Sequence, residues 1–324
     1  MRLLVTGAGG FIGRAVAVRA IKDGWTLRTC YHAPIRGWTP LGESTIGLQL
    51  SPDADWSSVL VEVDVVVHCA ARVHVLHETA SDPLSEFRRV NAAGTINLAR
   101  QAANARVRRF VFLSSIGVNG AETFDTPFRA DDVPAPHSDY ALSKYEAEKG
   151  LNEIAGETDM EVVIVRPPLV YGPGVPGNFE RMMRLLFRGI PLPLGAVHNR
   201  RSLVALSNLV DLISTVASHP AAGNRTLLVS DGEDVSTAQL FKLVGAALGK
   251  PVRLFPVPPS ILRQAAKLVG RTELARQLCG SLQVDISKTC QFLQWMPPVR
   301  MDAALQEAAK DFIARQDALA DGSY

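Results

Sequence analysis

The chain has 324 residues and a formal net charge of +2, with 47% of its residues hydrophobic and 20% charged. A chain this rich in apolar residues is not intrinsically disordered, and it is long enough for one large α/β domain and a smaller one. The near balance of charge gives no basis for binding nucleic acid or an acidic membrane surface.

Scattered cysteines without C-x-x-C spacing favour reduced thiols in the cytoplasm. No uncharged apolar stretch approaches the ~18 residues of a membrane span, and the first strand begins at Arg2. We therefore expect neither membrane insertion nor a signal peptide. His74 and His77 lack a carboxylate or cysteine partner at ligand spacing, so no metal is implied.

The first half of the chain alternates short apolar runs with helical patterns. Continuous apolar strands between helices indicate a parallel sheet covered on both faces, so the predicted fold class is α/β, a Rossmann-type doubly wound sheet. The predicted elements are strands at 3–5, 26–31, 45–50, 65–71, 109–115 and 161–166, and helices at 11–23, 54–61, 83–105 and about 140–155.

The second half is broken by prolines and glycines, most densely between 167 and 178, where the composition predicts a constrained loop. Two later stretches read as helices, 237–248 and 301–315. We predict a dinucleotide-binding domain from residues 1–170 plus about 201–235. A smaller C-terminal α/β substrate lobe would comprise about 171–200 plus 236–324.

A glycine-rich turn, Thr6-Gly7-Ala-Gly-Gly10-Phe-Ile-Gly13, joins the first strand to the first helix. Glycines in such a turn let the backbone approach a pyrophosphate, which faces the helix N-terminus. The order of strand, turn and helix predicts dinucleotide binding. The alternative is a tight turn without a ligand.

Tyr140 and Lys144 are four residues apart, which places them one turn apart on the same face of a helix. An ammonium beside the phenol favours the tyrosinate and should lower its pKa toward neutrality, so that Tyr140 could act as an acid/base catalyst. The alternative is a half-buried tyrosine near a solvated lysine. Combined with the glycine turn, the pair predicts a redox enzyme acting on a hydroxyl or a carbonyl.

These motifs, in this order and spacing, resemble the extended short-chain dehydrogenase/reductases of the nucleotide-sugar epimerase/dehydratase group. The resemblance covers essentially the whole chain. Besides the glycine turn, its marks are His68-Cys-Ala-Ala71, Asn91, Ser114-Ser115, Tyr140-x-x-x-Lys144, Arg166-Pro167, Tyr171-Gly172-Pro173, Asn178 and Arg201.

The resemblance implies a role for each matching residue. The catalytic residues would be Ser115, Tyr140 and Lys144, with Ser115 also bonding the reacting sugar oxygen; a strand-end serine that caps a turn is the alternative. Asn178 and Arg201 would contact the substrate diphosphate. Asn91 would be structural. The cofactor would be held by Tyr140, Lys144, Gly7, Gly10, Phe11, Ile12, Ala70 and Pro167.

Two positions depart from the family pattern. Dehydratases of the group carry an acidic pair directly after the catalytic Ser or Thr, whereas this chain has Ile116 and Gly117, which disfavours dehydration. An NAD-specific site usually has a carboxylate at the end of the second strand, and none occurs between Cys30 and Arg36. His32 and Arg36 could instead bond a 2′-phosphate, which favours NADP(H) and leaves NAD(H) possible.

The resulting hypothesis is NAD(P)H-dependent reduction of the C4 ketone of a UDP-linked 4-keto-6-deoxy sugar. The chain looks most like bacterial O-antigen enzymes that convert UDP-2-acetamido-2,6-dideoxy-xylo-hexos-4-ulose to UDP-N-acetylquinovosamine. The alternatives are a UDP-sugar 4-epimerase with tightly held NAD and a non-catalytic NAD(P)-binding module. The resemblance also implies a homodimer formed through the helix at 83–105 and the Tyr140 helix.

Overall fold

The computed structural model describes residues 1–34, 39–73 and 82–320. The strands are β1 (Arg2–Thr6), β2 (Thr26–Tyr31), β3 (Glu43–Ile46), β4 (Val65–His68), β5 (Arg109–Leu113), β6 (Glu161–Arg166), β7 (Leu169–Tyr171), β8 (Arg201–Ala205), β9 (Arg225–Leu228) and β10 (Asp234–Val235). The helices are α1 (Phe11–Lys22), α2 (Ser57–Leu60), α3 (Pro83–Phe87), α4 (Thr95–Asn104), α5 (Asp139–Glu157), α6 (Asn178–Phe187), α7 (Leu206–Ser218), α8 (Thr237–Ala247), α9 (Pro259–Leu268), α10 (Thr272–Cys279), α11 (Ser287–Leu293) and α12 (Met301–Ala320).

Seven strands form a sheet in the order β3-β2-β1-β4-β5-β6-β9, and every neighbouring pair is parallel. This arrangement confirms the predicted Rossmann-type sheet. The strand order reverses between β1 and β4, where Thr6 is in register with His68. Ligands of such sheets bind at the carboxyl ends of the strands beside this reversal.

Both faces of the sheet are covered, because successive side chains of a strand point to opposite sides. On β1, Leu3 and Val5 pack in a core that includes residues of α1 and α7. The intervening Leu4 packs in a second core with Phe110 and with Leu151 of α5. Helix α5, which carries Tyr140 and Lys144, is therefore fixed to the sheet by its buried face.

The predicted helix over 83–105 is continuous but not uniform. Between α3 and α4, residues Arg88–Gly94 form a wider π-helical turn. Asn91 lies in this turn, is buried, and exchanges hydrogen bonds with the backbone of Arg72 (2.8 and 3.0 Å). Wide turns of this kind are frequent at functional sites. Here the bonds of Asn91 fasten the segment after β4 to the helix.

Several predicted boundaries differ from the structure. The helix predicted at 54–61 is only Ser57–Leu60, and the strand predicted at 45–50 is Glu43–Ile46. The strand predicted at 65–71 ends at His68, where the chain turns toward the ligand edge of the sheet.

A smaller sheet, ordered β10-β8-β7, lies with a separate hydrophobic cluster that includes Phe179, Phe241 and Phe312. Residues 201–235 contribute to both sheets, since β8 belongs to the small one and β9 to the large one. The domain boundaries stay a prediction. The homodimer also stays a prediction.

Candidate functional site

The glycine turn closes tightly over the ends of β1 and β4. Gly7 has φ +68°, and a Cβ there would lie 2.6 Å from the backbone nitrogen of Ala70. A Cβ on Gly13 would overlap the carbonyl of Gly7. Gly10 precedes α1 and provides no side-chain cap for its first amides. A turn packed this closely at Gly7 and Gly13, followed by a helix whose first amides have no side-chain cap, fits the pyrophosphate of a dinucleotide at a helix N-terminus.

The Gly7→Ala variant is expected to lose cofactor affinity by about tenfold or more and to have a lower Tm. Positive φ alone costs an L-residue roughly 1–2 kcal/mol, and the new methyl group would displace the Ala70 backbone. Gly24→Ala is the matched control, since Gly24 has φ +75° and open space around it. Equal cofactor affinity of the two variants, measured by calorimetric titration, would show that close approach at Gly7 is irrelevant.

Ser115 follows β5 and begins a short helical turn, Ile116–Val118, whose Gly117 amide donates to the Ser115 hydroxyl (3.1 Å). The serine therefore caps a turn, and this contact also fixes the position of its hydroxyl. Pro167 lies beside it, because its carbonyl accepts a hydrogen bond from the Ile116 amide (3.0 Å). The strand ends of β5 and β6 thus bring Ser115 and Pro167 together.

Lys144 is buried, and its Nζ donates to the carbonyl of Leu113 (2.7 Å), two residues before Ser115. The same Nζ lies 4.3 Å from the ring centre of Phe112 and 6.0 Å from that of Tyr140. Burial lowers the pKa of Lys144 to about 8. The structure therefore brings Ser115, Tyr140 and Lys144 into one site.

The expected lowering of the Tyr140 pKa is wrong for the protein without cofactor. Burial raises this pKa to about 12, because the charged phenolate is disfavoured in an apolar setting. The ring packs edge-on against Phe87 at 6.2 Å, and the nearby lysine ammonium is directed to the Leu113 carbonyl. In this state Tyr140 is poised as a proton donor.

A difference titration tests this assignment. The tyrosinate absorbance of the cofactor-free wild type minus that of Tyr140→Phe should show no ionisation below about pH 10, since the Tyr140 pKa is raised above its ordinary value. A difference signal with a midpoint near pH 7 would restore the expectation drawn from the Tyr-Lys spacing.

A buried ion pair lies directly beneath the site. Glu148, one turn beyond Lys144 on α5, accepts from the Ser114 hydroxyl (2.5 Å) and from Nε and Nη2 of Arg166 (2.9 and 2.5 Å). Arg166 also donates to Asn119, in the turn after Ser115 (3.0 Å). These bonds join β5, β6 and α5. This ion pair is not predicted from the sequence, although a charged residue, Arg166, at the end of the otherwise apolar strand β6 is a signal for it.

His68 completes a second buried chain at the ligand edge. Its Nδ1 bonds the hydroxyl of Thr6 (2.6 Å), and its Nε2 bonds the hydroxyl of Thr95 (2.9 Å). Burial lowers the pKa of His68 well below its ordinary value, so the ring is neutral. This neutral linkage ties the glycine-turn strand to α4.

Arg201 and Asn178, the residues predicted to contact the substrate diphosphate, both form hydrogen bonds with Gln277 of α10. The Nη1 of Arg201 donates to the carbonyls of Gln277 (2.7 Å) and Gly280 (3.1 Å), and the Asn178 amide donates to the Gln277 side chain (3.3 Å). Asn178 is the first residue of α6 and follows Gly177, which has φ +76°.

The loop after Ser115 connects the site of Ser115, Tyr140 and Lys144 to this region. Glu122 on that loop interacts electrostatically with Arg201, and the neighbouring Thr123 amide donates to Ser281 (2.8 Å). His137, three residues before Tyr140, also lies here, with its Nδ1 3.3 Å from the Gly117 carbonyl. It was not singled out from the sequence, because an isolated histidine in a loop carries no motif.

Other predicted cofactor residues lie around the glycine turn. Phe11 and Ile12 form the first turn of α1, and both are partly buried. His32 is exposed after β2, whereas Arg36 lies outside the described residues. The predicted NADP preference therefore stays a prediction.

No group of three or more His, Cys, Asp or Glu side chains in the described ranges could hold a metal ion, and His74 and His77 lie outside those ranges. In the part of the chain that the structure describes, no helix is long and apolar enough to cross a membrane. After Ser115, Ile116 is buried and Gly117 has no side chain. The site thus has no acid at the positions that dehydratases use.

The sequence has clear relatives. The model of the family described as "NAD dependent epimerase/dehydratase family" matches residues 3–230 of this chain. The chain is 44% identical to a UDP-glucose 4-epimerase of Vibrio cholerae, over 96% of this chain and 95% of that protein.

Solved structures of low sequence identity share the fold. The UDP-glucose 4-epimerase of Thermotoga maritima, solved with UDP-glucose, superposes with a TM-score of 0.78 at 21% identity, covering 98% of this chain and 100% of that one. The UDP-glucuronic acid 4-epimerase of Bacillus cereus, in complex with NAD, gives a TM-score of 0.77 at 19% identity, covering 97% and 99%.

Proposed function

The chain belongs to the NAD dependent epimerase/dehydratase family, and from this premise we propose that it is a UDP-sugar 4-epimerase that uses NAD. The observation that carries the proposal is the site itself: Tyr140, Lys144 and Ser115 lie together, with no acid after Ser115. Such a site can move a proton at an alcohol or ketone oxygen, but it has no acid at the two positions after Ser115 that dehydratases use. The 44% identity to the Vibrio cholerae enzyme favours epimerisation over the reduction that sequence analysis ranked first.

Each catalytic side chain has a definite task in this proposal. The bound nicotinamide supplies a hydride acceptor and donor. Ser115 holds the C4 oxygen by a hydrogen bond. Tyr140 is protonated in the cofactor-free protein, and it would take the proton from the C4 oxygen as the phenolate that the positive charge of a bound oxidised nicotinamide favours, and then return it. Lys144, whose Nζ lies 6.0 Å from the centre of the Tyr140 ring, would hold the nicotinamide ribose, as the resemblance implies.

The substrate diphosphate is assigned to Arg201 and Asn178. A guanidinium matches phosphate oxygens in charge and geometry, and this one is held by the carbonyls of Gln277, in α10, and of Gly280, directly after it. The binding of both groups to α10 would place the sugar between the C-terminal lobe and the catalytic loop.

The test is to supply UDP-glucose and, separately, UDP-N-acetylglucosamine to the purified enzyme, with NAD but no reduced cofactor. We expect the C4 epimer of at least one of them to accumulate to equilibrium without net change in nicotinamide absorbance. Absence of any epimer from either sugar, with an enzyme that demonstrably binds NAD, would refute the proposal.

A 4-ketoreductase is the second candidate, favoured by the lack of a carboxylate from Tyr31 to Arg36. Without that carboxylate, the protein has one fewer contact with which to hold NAD tightly. Weaker retention suits a reductase, because a reductase must exchange its cofactor at every turnover. A UDP-linked 4-keto-6-deoxy sugar supplied with NADPH or NADH would then consume the reduced cofactor in proportion to product. This result without epimerase activity would establish the reductase.

A further inference from the structure

Helices α9 and α10 form a surface hairpin, residues 259–279, that leaves apolar side chains in solvent. None of the ten residues of α9 is buried. Ile261 is 53% exposed, Leu268 88% and Val269 69%. Exposed apolar side chains grouped on one element commonly mark an interaction site.

The exposed apolar residues of α9 lie on one side of the helix. Ile261, Ala265 and Leu268 follow one another at intervals of four and three residues, which forms a single stripe. Leu262, in the adjacent row, packs against the hydrophobic cluster of the C-terminal lobe. The stripe that contains Leu268 is therefore the outward one.

Basic side chains flank the exposed apolar pair at the tip of the hairpin, since Lys267 directly precedes Leu268 and Val269 and Arg271 follows them after Gly270. Arg263 lies on the opposite side of α9 from the stripe. The hairpin contains four basic residues and one acidic residue, so its net charge is +3. The net charge of the whole chain is only +2. The acid, Glu273, is paired with Arg276. With Lys250 and Arg253 just before the hairpin, residues 250–279 carry +5, so the rest of the chain carries −3. The exposed members of the hairpin set are Arg263, Lys267 and Arg271.

We propose that the α9–α10 hairpin docks the protein onto an anionic phospholipid bilayer. The apolar side chains of Ile261 and Leu268 lie in the interface, and Lys267 and Arg271, on either side of the exposed Leu268 and Val269 in the chain, contact lipid phosphates. The whole-chain charge conceals this local excess, which is why sequence analysis gave no basis for an acidic membrane surface.

The charges also argue against a second copy of the chain as the occupant. A two-fold symmetric contact would place this basic surface against itself, which opposes association. At ten residues, α9 is about 15 Å long and too short to span a bilayer. Surface docking remains as the arrangement that satisfies both the apolar stripe and the basic residues of the hairpin.

The test is co-sedimentation with large unilamellar vesicles of phosphatidylglycerol and phosphatidylethanolamine, compared with phosphatidylcholine vesicles. Wild type should bind the anionic vesicles, and binding should weaken as sodium chloride screens the charges. The double variant Ile261→Glu/Leu268→Glu should lower the partition coefficient by about tenfold or more, because it loses two apolar anchors and gains two negative charges.

The matched control is Val18→Glu/Ile21→Glu, which changes two exposed apolar residues of α1 in the same way and should bind vesicles almost as wild type does. Circular dichroism melts confirm folding, and turnover of a free UDP-sugar should be unchanged in both variants. Failure of wild type to bind anionic vesicles, or equal binding by the hairpin variant, overturns the proposal. The proposal is also overturned if the wild type forms a dimer, the hairpin substitutions dissociate that dimer, and the wild type binds no vesicles.

Discussion

Replacing Tyr140 by Phe is expected to lower turnover on the order of 10²–10⁴-fold while leaving the fold and cofactor affinity intact. The variant removes only the phenolic oxygen, which is the proton carrier beside Ser115 in the proposed reaction. The ring and its edge-on contact with Phe87 remain. Steady-state rates with a UDP-sugar, together with calorimetric cofactor binding, measure the two effects separately.

Tyr145→Phe is the control for this substitution. Tyr145 lies on the same helix and is also partly buried, but its ring faces Lys149, 5.3 Å away, rather than Lys144. Its removal should change turnover less than about twofold, since it is remote from any proton transfer. Near-normal turnover in Tyr140→Phe would remove Tyr140 from the mechanism.

The second large effect is on stability. Glu148→Ala is expected to lower the free energy of unfolding by about 3–5 kcal/mol, because it leaves the buried Arg166 guanidinium without its counter-charge. Arg166 would keep only its bond to Asn119 among those described. Urea denaturation, with equal m-values for both proteins, measures the difference.

Glu146→Ala tests whether burial is the cause. Glu146 is two residues earlier on the same helix and pairs with the half-exposed Arg88 at 2.8 Å. Exposed pairs contribute less than about 1 kcal/mol, so this variant should be close to wild type. Similar losses in the two variants would contradict the account of the buried pair.

The sheet and the glycine turn could be predicted because their signals are local. Leu3-Leu4-Val5 and Val65-Val66-Val67 are apolar runs typical of a parallel strand covered on both faces, and the turn between β1 and α1 requires glycine at position 7. The same reasoning located Tyr140 and Lys144 on one helix face, since that relation depends only on helical spacing.

What sequence could not supply were contacts between distant segments. The partner of Glu148 is 18 residues away and that of Lys144 is a backbone carbonyl, so no spacing rule reveals them. The Tyr140 pKa was mispredicted for the same reason: the spacing showed a nearby lysine, whereas burial, which acts in the opposite direction, depends on the packed structure. The exposed hairpin likewise depends on knowing which face of α9 the C-terminal lobe covers.

The central claim, that one site removes and returns the same hydride at C4, is tested most directly by isotope retention. UDP-glucose deuterated at C4 is incubated with the enzyme, and UDP-galactose is recovered for mass spectrometry. We predict that the product keeps its deuterium at C4, with no net reduction of added NAD. Loss of the deuterium to solvent, or consumption of nicotinamide in proportion to product, would contradict the account.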